Sequence, residues 1–232
     1  MTGREDLFTP VHKGLRSMLY GLSNRLQTND FADVSATSAL IRDLEDDFAL
    51  ARSAGCILCH FANHAHEEDA VVFPVAARFA NRLVTDLIED HHKLMVRELA
   101  IAKSGHELLG LAAPEARIQA GIRLNQMANQ LFAEYIVHMN REEDELVPLM
   151  RENLADAEQA AIRGSVIAKF PPDRFFALLS WMLPSLNVNE LSELLASVKQ
   201  SAPPPVVKAI SDLAAARVDP TRWNEVKHRV GI

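Results

Sequence analysis

The chain has 232 residues, 48 % of them apolar, and a net charge of −7, so it can bury a core as one or two domains. Only 9 glycines and 6 % aromatics, beside abundant Ala, Leu, Glu and Arg, favour helix over sheet. The acidic balance excludes a general binder of nucleic acid or anionic membrane, which needs clustered Lys and Arg, and no run of about 18 apolar residues is present to span a bilayer.

The stretch MTGREDLFTPVHKG has mixed charge and no apolar core, which predicts no cleaved signal peptide. A cytoplasmic protein is expected, with Cys56 and Cys59 reduced, since two cysteines make no disulfide framework. The first helix is predicted to take Thr9 as N-cap and Pro10 as its first residue, with Val11, Leu15, Leu19 and Leu22 at helical spacing. After QTNDFADVS a second helix is predicted from about residue 35 to about 69, with a bend, or a helix buried on most sides, near Gly55 where the apolar phase slips. Pro74 is expected to stop it. A third helix follows over about 83 to 109, then GLAAPEA, then a fourth over about 114 to 150. Four long helices on short links form the pattern of an antiparallel four-helix bundle, residues 1–150.

From there the segments shorten, with prolines at 171–172, 184, 203–205 and 220. Residues 151–232 are expected to form a smaller helical extension packed on the bundle. Short helices are marginal alone, so FFALLSWMLPSL predicts burial of Phe175, Phe176, Leu179, Trp181 and Met182. The alternative cover is a second copy of the chain or another protein.

CILCH, residues 56–60, matches the local pattern for covalent c-type haem. The surrounding histidines give a different reading. His64 is followed four residues on by Glu68 and six further by Pro74; His138, Glu142 and Pro148 repeat that spacing. A four-residue step leaves two side chains about 40° apart on one helix face, so each helix presents an imidazole above a carboxylate. His12 in HKGL and His91 in HHKL also match, preceding their partners by 52 and 47 residues. This is an internal duplication. Packed as two hairpins, it brings four imidazoles and two carboxylates into one core, a donor set for a dinuclear site more than for a closed tetrahedral zinc. Such a cluster is costly to bury without a metal. Cys59 lies about 140° around the helix from His64, so no covalent haem is expected.

These motifs, VHKGL, HAHEEDAVVFP, EDHHKL and HMNREEDELVP, resemble the hemerythrin-like (HHE cation-binding) family over about residues 8 to 150. The resemblance implies a four-helix bundle holding a non-haem di-iron centre. It implies that His12 and His64 serve one iron, His91 and His138 the other, with Glu68 and Glu142 bridging. Oxygen-carrying hemerythrins supply a fifth histidine one turn after the first ligand of the third helix, where this chain has Met95. His60, one turn before His64 as Glu134 is before His138, is a candidate fifth ligand or a hydrogen-bond donor that orients one.

His66, His106 and His228 read as ordinary core histidines, and the repeat favours His91 over its neighbour His92. Glu67, Asp69, Glu143, Asp144 and Glu145 read as solvated or supporting acids, and Met95, Met127 and Met139 as core packing. Ferritin-like di-iron proteins use paired Glu-x-x-His, a spacing present only at Glu89–His92 and Glu225–His228. Two functions are compatible with the resemblance: binding or sensing of O2, NO or iron, and an oxidoreductase or iron donor acting in peroxide or NO chemistry or iron–sulfur cluster repair. A set rich in histidine favours the first.

Overall fold

The computed structural model describes residues 6–44 and 57–232. Among them every regular element is helical: α1 (Thr9–Thr28), α2 (Val34–Leu44), α3 (Ile57–Glu67), α4 (Phe73–Leu109), α5 (Pro114–Arg141), α6 (Val147–Asn153), α7 (Asp156–Ile167), α8 (Pro172–Ser185), α9 (Val188–Ser201), α10 (Pro204–Arg217) and α11 (Pro220–Val230). Two five-residue π-helical turns, Glu68–Val72 and Glu142–Leu146, join α3 to α4 and α5 to α6. The bend expected near Gly55 lies outside the described residues.

The π turns follow from proline. Pro74 and Pro148 each lie six residues after a glutamate. A proline within a helix has no N–H, and its ring displaces the carbonyl four residues back. The helix widens instead of ending, and Phe73 and Val147 donate their N–H groups to the carbonyls of Glu68 and Glu142, five residues back. Pro74 therefore does not stop the helix. The reversal comes at Ala80, whose φ of −134° and ψ of 39° leave the helical region. Phe73 and His91 stack with ring centroids 5.4 Å apart, where 18 residues of straight helix would separate them by about 27 Å. At the start of α1, Phe8 rather than Thr9 takes the capping position, and its N–H goes to Asp6 Oδ1 at 3.0 Å.

Contacts group the chain into two compact units: the described residues of Met1–Phe8 and Met18–Lys169, and Thr9–Ser17 with Phe170–Ile232. Residues 151–169 thus belong with the first unit, and the opening of α1 with the tail. In the first unit, Val72 and Phe73 after one π turn are buried in one cluster with Leu146 and Val147 after the other, beside Val84, Leu87 and Met150. The duplicated sequence gives a duplicated core.

In the second unit, prolines open α8, α10 and α11, where the missing N–H has no partner to lose. Asn187 caps α9 by accepting from the Asn189 and Glu190 N–H groups, while Glu190 accepts from the Asn187 N–H. The core gathers Leu179, Met182, Leu183, Leu191, Leu195, Trp223 and Val226, with Val11 of α1 packed against it. Of the residues expected to be buried, Leu179 and Met182 are, while Phe175, Phe176 and Trp181 are half-buried. A Cβ at Gly14 would lie 3.0 Å from the Met182 Cα, so α1 approaches α8 this closely because residue 14 has no side chain.

Arg117 ties two loops of the first unit together. It is buried and donates to the carbonyls of Phe31 (3.4 Å), Ala32 (2.8 Å), Leu111 (3.0 Å) and Ala112 (2.8 Å). Arg117→Met is expected to lower stability by about 3 kcal/mol, because a charged donor is lost and its acceptors stay behind. Urea unfolding measures it; a cost under about 1 kcal/mol would show that water replaces the guanidinium at these carbonyls.

Candidate metal centre

The first unit places five of the sequence-predicted residues at one point. The last turn of α3 carries His64, and the first π turn opens on Glu68. The reversal at Ala80 returns α4 with His91 facing them, and α5 brings His138 just before Glu142 opens the second π turn. Ligand atoms of Glu68, His91, His138 and Glu142 all lie within 4.8 Å of one another, and all four residues are buried. Glu68 divides its oxygens: Oε1 lies 3.1 Å from His64 Nε2, and Oε2 lies 3.4 Å from His91 Nε2. The Nε2 atoms of His91 and His138 are 2.8 Å apart, and His138 Nε2 is 3.4 Å from Glu142 Oε1. Imidazole nitrogens and carboxylate oxygens thus converge on one small volume.

A carboxylate outside this set holds one ring. His91 Nδ1 is 2.9 Å from Asp69 Oδ1, which presents Nε2 inward as a metal-ligating histidine needs. Asp69, read from sequence as a solvated or supporting acid, is thus a supporting group. Asp90 Oδ2 lies 3.9 Å from His138 Nδ1, beyond hydrogen-bond reach, and accepts from Arg141 at 2.6 Å. Burial alone would lower the His91 pKa. Hydrogen bonds to Asp69 and Glu68 and the charges of Glu68 and Glu142 outweigh it and raise the pKa from 6.5 to about 10. The pocket draws positive charge.

His12 is fully buried on α1, within the stretch that groups with the tail. His60 is buried on α3 and is not among the converging ligand atoms. Glu134 pairs with Arg97 at 2.6 Å instead of entering the set. His66, His92, His106 and His228 are all exposed, so the three read as core histidines are surface residues. Met95 is 48 % exposed and not core packing.

No known family, curated protein or solved structure matches the chain. The site must be read from its own chemistry.

Tyr135 and Glu98 were missed from sequence. Both are buried, and the Tyr135 hydroxyl donates to Glu98 Oε1 in a short hydrogen bond. Burial first, then the charge of Glu98 and its hydrogen bond and the charge of Glu68, push the Tyr135 pKa well above 10. The phenol keeps its proton. Their signal was present: Glu98 falls seven residues after His91 on the buried face of α4, and Tyr135 one turn before His138.

Cys59 is buried and disulfide-bonded, against the expectation of a reduced thiol. Cys56 lies outside the described residues. No helix among the described residues is long and apolar enough to cross a membrane.

Proposed function

We propose that this chain is a hemerythrin-like, non-haem di-iron protein that binds or senses a small ligand such as O2 or NO through a His/Glu site in a four-helix bundle. The observation that carries it is Glu68, with one oxygen toward His64 and the other toward His91, the disposition of a carboxylate shared between two cations. Buried imidazole and carboxylate donors suit iron and its first-row neighbours and disfavour soft cations. His12 enters the ligand set by the sequence repeat, as the partner of His64. Bound iron would supply Lewis acidity and redox chemistry. Asp69 orients the His91 imidazole, and burial keeps Glu68 and Glu142 desolvated.

The second reading, an oxidoreductase or iron donor, is favoured by the Tyr135–Glu98 pair, a protonated phenol on a buried base. The test is metal analysis of protein from iron-supplied cells, with optical spectra under nitrogen, air and NO. About two irons per chain and a spectrum that reverses on removing the gas are expected. Turnover of peroxide or NO without a stable adduct would select the second reading; a chain holding no iron sinks both. Metal should also raise thermal stability, by about 2.7 kcal/mol when free metal is about 100 times its Kd.

A further inference from the structure

The pocket is nearly closed, with His138 only 4 % exposed. An exogenous ligand needs a way in. On the surface between α4 and α5 lies a groove of about 290 Å³ that ends on His138. Leu94, Ala133 and Val137 are its apolar lining, and Asp90, Lys93 and Glu134 its charged lining. The volume admits a molecule of a few heavy atoms and is at the small end for a drug-sized one. The charges are locally matched. Lys93 lies 3.5 Å from Asp90 and 3.2 Å from Glu89, and Glu134 is engaged by Arg97. Such a lining offers no concentrated positive field to gather anions. Its apolar side chains receive an uncharged molecule without the desolvation that an ion would require. His138, a residue of the candidate metal centre, is itself part of the lining.

We propose that this α4–α5 groove is the entry path by which a small uncharged diatomic reaches the metal site at His138. The inference rests on the di-iron reading and adds the direction of approach and the charge class of the ligand. Ala133 and Val137 are exposed positions on α5, so bulky side chains there fill the groove without entering the core.

The test is stopped-flow binding of NO to the iron-loaded full chain, with iron content measured on each preparation. Ala133→Trp and, independently, Val137→Trp are expected to retain wild-type iron content and slow NO association by about tenfold or more. Ile122→Trp is the control. It is also exposed on α5, but lies about 24 Å along the helix from His138 and lines a different groove, so its rate should stay at wild type. Unchanged association in both groove variants, with iron retained, overturns the path and leaves the di-iron reading standing. Equal slowing in Ile122→Trp overturns it as well. Wild-type protein without iron fails the di-iron reading and takes the path with it.

Discussion

Glu68→Gln and Glu142→Gln are each expected to weaken metal binding by on the order of 100-fold or more, at or above the upper end of the loss typical of outer hydrogen-bonding partners. Gln keeps the size of Glu but loses the charge that compensates a metal cation. Glu68→Gln tests the shared carboxylate directly, because the two Glu68 oxygens face two imidazoles. Stability separates this from a structural role. In metal-loaded protein both substitutions should lower the thermal midpoint, since metal binding no longer adds to folding. In metal-free protein Glu142→Gln should leave the midpoint unchanged or raise it. It removes one of two buried carboxylates with atoms within 4.8 Å of each other, while His91 keeps Asp69 and Glu68. If these acids serve only as ion-pair partners for histidine, metal-free Glu142→Gln will be the less stable. Retention of all metal by both variants, measured by mass spectrometry, would remove the bridging role.

The parts of the site that were legible in sequence are those whose spacing is local. His64–Glu68 and His138–Glu142 share a helix face whatever packs against it, and the duplication supplied His91. His91 is buried and His92 exposed. What was missed depends on contacts made by the fold. Glu98 and Tyr135 look like unremarkable helix residues until α4 and α5 lie together. Pro74 was read as a stop because an isolated helix breaks there, while the fourth helix was read through Pro148; with Val72, Phe73, Leu146 and Val147 buried, a widened π turn keeps the chain helical at both. Nor does any local pattern say that Thr9–Ser17 groups with residues from the other end of the chain. That grouping rests on Gly14 and Val11 meeting the tail core, a pairing between distant segments.

Deleting Phe170–Ile232 is therefore expected to do more than remove an appendage. The tail has its own apolar core, with Leu183, Leu191 and Val226 fully buried, and Val11 of α1 is packed against it. Cutting after Lys169 uncovers that face of α1, and the opening turns lose the packing on which a short helical stretch depends. Aggregation and a broad, early thermal transition should follow. A milder version is Gly14→Leu, which forces a side chain into a space where even a Cβ meets Met182 backbone at 3.0 Å, at a cost of about 1–3 kcal/mol from overpacking. Both changes act on the segment that carries His12, so both should lower iron content if His12 is a ligand, although neither touches Glu68, His91, His138 or Glu142. Size-exclusion chromatography, a melting curve and iron analysis on the two variants decide the matter. A truncated chain that stays monomeric and as heat-stable as the full chain would mean that α1 holds its place without the tail. Full iron content in that truncated chain would further mean that the tail takes no part in holding His12.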